Sequence, residues 1–193
     1  ALEPDVAMAI AALGALGAEV REIAVPFHAE LATSVMLGSG AESLAWHRER
    51  LRERYDDYGR NARRNLLTGL LLSASDLQQI ARVRAHGAAA VRRMFRSEVD
   101  LVIAPTAPGN PPFLEGMTGL DGLPDNTAAW NAVGSPVSAV PIGFTAAGMP
   151  LSMQIAGPPR ADALVLRAAD AYQRVTTWHR AIPPIAQPAP AAA

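Results

Sequence analysis

Ten of the sixteen prolines in this 193-residue chain fall between Pro105 and Pro159. Proline lacks a backbone donor and breaks helix interiors. The stretch from Ala107 to Asn126 therefore reads as one long irregular loop, a length uncommon inside compact domains unless it shapes a site. The apolar runs between the prolines read as strands. VDLVIAPT is a buried strand stopped by Pro105. PVSAVPIG and LSMQIAG are two more, joined by the turn residues of TAAGMP.

Helical periodicity dominates before Pro105. Pro4 and Asp5 open a pattern in which Val6, Ile10, Leu13 and Leu16 share a face, and Gly17 is placed to end it. EVREIAVP follows with β-branched residues and a proline stop, which reads as a strand. A helix followed closely by a strand points to an α/β layer rather than a bundle. From His28 to about Tyr58 the pattern is mainly helical, and the small residues of TSVMLGSG let a neighbour approach closely. Ser75 with Gln78 fits a capping box. Leu77, Ile80, Ala88, Val91 and Phe95 then mark one face of a helix that runs to about Ser97. Arg84 lies on that stripe, and a buried guanidinium needs a carboxylate or carbonyls, so it is expected to tie helix to loop. Asp162 is placed to cap a last helix with Val165, Ala169 and Tyr172 inward. The tail ends in PPIAQPAPAAA, with too little apolar side chain to fold. These boundaries give one domain over 1–180 and a disordered tail over 181–193.

Composition narrows the chemistry. All 17 basic residues are arginine, so no lysine base or Schiff base can operate on this chain alone. Without cysteine there is no disulfide, thiol nucleophile or cysteine metal site. His28, His47, His86 and His179 are scattered, with no pair at helical ligand spacing, so no metal is expected. A net charge of -1 gives no electrostatic reason to expect nucleic acid or an anionic membrane. The stretch HRERLRERYDDYGRNARR holds seven arginines and four acids. It reads as a solvated, salt-bridged helix face; a nucleic-acid patch is the alternative, and the interleaved acids count against it. No apolar run reaches the length of a membrane span, and ALEPDVAMAI lacks the basic flank of a secretory signal. A cytoplasmic location is the expectation.

GSGAES at Gly38 follows a helical segment rather than a strand, so it reads as helix packing rather than a phosphate cradle. Gly134-Ser135-Pro136 lacks the pattern of a nucleophile elbow. No Ser-His-acid constellation is assembled by spacing alone.

Four segments in order carry a resemblance: DLVIAPTAP, WNAVGSPVSAVPIGF, GMPLSMQIAGPP and AADAYQRVTTWHRAIPP. This series resembles the C-terminal region of the amidase-signature family. Its Pro-Thr element stands at Pro105-Thr106, its N-x-x-G-x-P-x-x-x-x-P-x-G element at Asn131 to Gly143, and its G-x-P-x-x-x-Q-x-x-G element at Gly148 to Gly157. ASDLQQIARVR and GALGAEVREIAVP look like their family counterparts too. The resemblance implies an α/β fold with a mixed sheet flanked by helices, forming the C-terminal portion of the amidase-signature domain.

The activity it implies is hydrolysis of carboxamide C–N bonds by a Ser–cis-Ser–Lys triad, without metal or cofactor. A serine hydroxyl is a poor nucleophile until a base takes its proton, and backbone amides must hold the oxyanion that follows. In the family the lysine and the Gly/Ser-rich segment precede everything matched here. No catalytic residue is assigned to this chain, which is expected to be inactive alone. By the same resemblance Thr127, Trp130 and Asn131, in NTAAWNAVG, line the acyl pocket for a small-molecule amide. An indole offers apolar area there, and a hydroxyl and an amide can orient a polar group. The other reading has Trp130 as a core plug and Asn131 as a turn residue. Arg64, in RRNLLTGL, resembles a substrate-binding arginine of the transfer-RNA amidotransferases in the family, although its spacing to Gly69 differs. Gln154 reads as a buried structural amide. Two rival functions stand beside the amidase reading. One is a non-catalytic small-molecule binding or regulatory module; the other is half of a split amidase, with an N-terminal partner chain or with self-association.

Overall fold

The chain is seen as a computed structural model that describes residues 4–107, 115, 126–183 and 186. Most of the Ala107–Asn126 loop, and most of the tail over 181–193, lie outside the described residues.

Helix α1 spans Pro4–Ala15, with proline at a first position where its missing donor costs nothing. Val6 and Ala9 are buried, Ile10 and Leu13 half-buried, and Leu16 is 44% exposed beyond the helix end. The expected face therefore stops one turn early. Gly17 follows in a left-handed conformation, φ 95°. The strand expected over EVREIAVP does not form, because no described strand lies beside it to share a ladder. Its apolar residues are still used in packing: Ile23 and Val25 lie against the core.

Helix α2, His28–Glu53, is followed by a 3-10 turn at Tyr55–Asp57, helix α3 at Arg60–Thr68, and a second 3-10 turn at Gly69–Leu71. Small residues on α2 bring neighbours close. A Cβ added at Gly69 would lie 2.5 Å from the Gly40 carbonyl oxygen, so the α2 and 3-10 backbones touch. A Cβ at Gly87 would lie 2.7 Å from Leu31, which locks α2 against the next helix.

That helix, α4, spans Ala74–Ser97. Its capping residue is Ser73 rather than Ser75. Asp76 N–H donates to Ser73 Oγ at 3.2 Å, and Ser73 N–H donates back to Asp76 Oδ2 at 2.8 Å. Ser75 only reaches the Ser73 hydroxyl, at 2.8 Å. Ala88, Val91 and Phe95 are buried as expected, joined by Met94, whereas Leu77 is exposed and Ile80 half-buried. Among the described residues no element covers that face at the first turns of α4, where Leu77 stays exposed. Arg84 ties helix to helix rather than to a loop, donating to Ser34 O at 2.8 Å and pairing with Glu42 Oε1 at 3.2 Å.

Three strands follow: β1 at Val102–Pro105, β2 at Val137–Phe144 and β3 at Pro150–Ala156, with the short helix α5, Ala128–Val133, between β1 and β2. The order is β1-β3-β2, and both pairings are antiparallel. The α/β class thus stands, while the sheet seen in the described residues is antiparallel where a mixed one is expected. Hairpin closure explains the β2–β3 pairing: Thr145 N–H donates to Met149 O at 2.8 Å across a turn with Gly148 at φ 78°. Pro141 cannot supply a ladder donor, and the register slips between Pro141 and Gly143.

Helix α6 spans Asp162–Val175, with Val165, Ala169 and Tyr172 buried. Asp162 is its first residue rather than its cap, which is Ala161. The sheet separates two cores, as strand alternation requires. Met153 and Ile155 face α1 and α6 with Val140, Ile142 and Tyr172. Val102 and Ala156 face α2, α4 and α5 with Leu31, Val91, Phe95 and Trp130. Leu44, Leu51 and Leu66 form a satellite cluster between α2 and α3.

Candidate functional site

The end of β1 is fastened to the start of α5 by two side-chain amides. Gln154, 1% exposed on the central strand, donates from Nε2 to the Asn126 carbonyl at 2.9 Å and the Pro105 carbonyl at 3.4 Å. Asn126 Nδ2 donates to the same Pro105 carbonyl at 3.0 Å. Thr106 N–H adds a bond to Ser152 O at 3.0 Å. A strand end that stops at proline leaves carbonyls to satisfy, and these amides satisfy them. Gln154 is therefore the structural amide expected from the sequence. Asn126 shares this role, and nothing in the motifs marks it out. The one available signal is its place immediately before Thr127, at the end of the Pro-rich stretch.

From this tie the chain enters α5 at Thr127, which is half-buried and serves as its N-terminal flank. Helix α5 turns Trp130 inward and Asn131 outward. Trp130 is 3% exposed and packs with Phe95, ring centroids 6.4 Å apart, in the core between α4, α5 and the sheet. Its Nε1 has no hydrogen-bond partner among the described residues. Asn131 is exposed. Gly134, in the left-handed region at φ 68°, ends the helix and turns the chain into β2. Thr127, at the N-terminal flank, and Asn131, on the outer side, thus belong to one short helix whose indole holds it to the core.

Arg64 is not brought to this group. It lies on α3, which packs against the Leu44–Leu51 half of α2, whereas Trp130 shares its core with Leu31. Leu31 and Leu44 are separated by about 20 Å along a helix rising 1.5 Å per residue. Arg64 instead lines an open recess of about 510 Å³ with Tyr55, Arg60, Arg63 and Leu67. Arg63 is pinned there. Its guanidinium carbon lies 4.4 Å from the Tyr55 ring centre, and its Nε donates to Tyr58 O at 2.6 Å. A held guanidinium over an aromatic ring suits a planar anion such as a carboxylate. The salt-bridged face read from the sequence is present around it, with Arg54–Asp57 at 2.6 Å and Arg63–Asp56 at 3.6 Å.

Among the described residues no group of three His, Cys, Asp or Glu side chains is placed to hold a metal ion. His47 Nδ1 is 3.0 Å from the Tyr58 hydroxyl, and His86 meets the Phe27 ring edge to face. No described helix is long and apolar enough to cross a membrane.

An α/β unit with a Pro-Thr strand end, a short helix and a glutamine-bearing central strand defines the class: one portion of an amidase-type hydrolase fold. The sequence profile of the Amidase family matches residues 2–166, and the chain belongs to that family. It is 34% identical to an amidase of Pseudomonas putida over 195 residues, covering 94% of this chain and 41% of that protein. It is 32% identical to a glutamyl-tRNA(Gln) amidotransferase polypeptide of Chloroflexus aggregans, covering 79% of this chain and 33% of that one. A crystal structure of an amidase superposes with a TM-score of 0.76 at 24% identity, over 90% of this chain and 42% of that one. The chain spans less than half the length of each of these relatives.

Proposed function

We propose that this chain forms one wall of the substrate cleft of a carboxamide hydrolase, and that the nucleophilic machinery lies outside these 193 residues. One observation carries the reading: a chain matched to the Amidase family over residues 2–166 contains no lysine. The Ser–cis-Ser–Lys chemistry of the family needs that amine to draw a proton, through the bridging serine, from the attacking hydroxyl. The serine oxygen then adds to the amide carbon, the C–N bond breaks, ammonia or an amine leaves with the proton, and water releases the acid.

In this reading Thr127 and Asn131 present a hydroxyl and an amide to the substrate from the rim of α5. Trp130 forms the apolar backing of that wall rather than a freely exposed contact. The Pro105–Asn126–Gln154 tie holds the wall at a fixed height above the sheet, and such rigid support is what a positioning surface needs. Arg64, apart from α5, lines the Tyr55–Arg63 recess and would meet only a long substrate or its charged end.

The purified chain should release no ammonia above background from a panel of aliphatic and aromatic amides. Turnover that survives repurification, and that disappears when a serine of this chain such as Ser135 is replaced by alanine, would overturn the proposal.

A further inference from the structure

We infer that Gln154 is a positioning residue for substrate: from the central strand it sets where Thr127 stands, by fastening the entry of α5 to the sheet. The inference rests on the cleft-wall reading above and names the residue on which the Thr127 end of that wall depends.

Helix α5 has six residues, too few to hold a helix in water without outside contacts. Its placement therefore comes from its attachments. In its middle, Trp130 is sunk in the core against Phe95. Past its C-terminal end, Ser135 N–H donates to Trp130 O at 3.2 Å, and Gly157 N–H, just beyond β3, donates to Pro136 O at 3.0 Å. These bonds fix the passage into β2. At its N-terminal end two side-chain amides reach back to the sheet. Gln154 Nε2 donates to Asn126 O at 2.9 Å, and Asn126 Nδ2 donates to Pro105 O at 3.0 Å. Pro105 stands opposite Met153 in the β1–β3 ladder, so its carbonyl is a fixed point. Asn126 belongs to neither ladder and takes its place from that carbonyl and from Gln154.

The two proposed contact residues stand differently toward these attachments. Thr127 directly follows Asn126, whereas Asn131 directly follows the Trp130 anchor. Loosening the N-terminal attachment lets α5 tilt about Trp130, and that tilt displaces Thr127 far more than Asn131. Gln154 serves the attachment as a donor: Nε2 makes both of its bonds, and Oε1 accepts none among the described residues. At 1% exposure, a donor lost there is not replaced by bulk water. Gln154→Met keeps the length of the side chain and removes the donor. Gln154→Glu sets an ionised acceptor against two carbonyls, and regains one donor only when its carboxyl is protonated.

The first test is backbone hydrogen exchange on the 193-residue chain, read at the Trp130 amide, which donates to Thr127 O, and compared with the α4 amides. Gln154→Met should speed exchange at Trp130 by about tenfold or more and leave α4 unchanged. Asn126→Ala, at a half-buried site, removes the other half of the attachment and should act in the same way. Gln154→Glu should match Gln154→Met at neutral pH and return toward the parent in acid. Equal acceleration of α4 and α5 in both the Gln154→Met and Asn126→Ala chains, or a Gln154→Glu chain with no such return, overturns the inference. The second test is kinetic, in a chimera in which all 193 residues replace the matching part of the Pseudomonas putida amidase. Gln154→Met and Thr127→Val should each raise KM about tenfold with little change in kcat, and together no further, because both remove the same contact. Asn131→Ala combined with Gln154→Met should instead multiply. If Thr127→Val raises KM and multiplies with Gln154→Met, the positioning role falls and the cleft wall stands. If Thr127→Val leaves KM unchanged, or the chimera is inactive beside an active parent, the cleft wall itself falls.

Discussion

Trp130 carries two demands at once, since it anchors α5 to the core and stands between the two residues proposed to face substrate. Its 3% exposure decides which demand dominates the energetics. Truncating a buried indole should cost about 3–5 kcal/mol. Trp130→Ala is thus expected to lower the denaturant midpoint sharply, while Asn131→Ala, on the exposed side of the same helix, should change stability by about 0.5 kcal/mol or less. Equal losses from the two substitutions would remove the distinction between backing and rim. Asp76 offers a pH test at the same scale. Its carboxylate accepts from the Ser73 hydroxyl at 2.6 Å and from the Ser73 backbone at 2.8 Å, and these bonds hold its pKa below the ordinary 3.8. A depressed folded pKa means that the contribution is present above pH 3.8 and fades as pH falls through the lower folded value. The first turn of α4 should therefore exchange its amides faster in strong acid, and Asp76→Asn should lack that step. A carboxyl titration at or above 3.8 would contradict the capping box.

Among the elements, α2 organises the helical layer because its small residues let other backbones touch it. The contact between Gly40 and Gly69 leaves no room for a methyl group. Gly69→Ala should destabilise the fold by about 1–3 kcal/mol through overpacking against a backbone that cannot rotate away. Gly14 is the opposite case, a glycine in α1 with nothing within 4 Å of an added Cβ. Gly14→Ala should stabilise by roughly 0.5–1 kcal/mol by restricting the unfolded chain. Thermal melts of the two variants, shifting in opposite directions, check both. The start of α4 shows where sequence reading loses resolution. Ser73-x-x-Asp76 and Ser75-x-x-Gln78 both fit the spacing of a capping box, and the carboxylate won because it accepts two bonds from Ser73 and favours the helix N-terminus. EVREIAVP likewise has strand composition, yet a strand needs a neighbour, and composition carries no information about neighbours.

For the molecule as a whole, the open β2 edge and the uncovered Val137–Ala139 face predict behaviour in solution. At moderate concentration the isolated chain should self-associate, and lysine at Ala139 should reduce this by charging the edge. Light scattering that finds a dilute-stable monomer in both cases would count against an unfilled edge. What the residues alone determined is the α/β class, the three strands around Pro105, Gly143 and Gln154, the inward face of α6 and the family, because apolar periodicity and ordered motifs are local along the chain. The absence of lysine is also decided there, and with it the limit on what chemistry these residues can perform. Only the tertiary structure decided that Trp130 points into the core, that Arg64 stands apart from α5, that Asn126 and Gln154 share one carbonyl, and that β2 lies at an edge. Each of these depends on which distant segments meet, and burial, hydrogen-bond pairing and strand order exist only once they do.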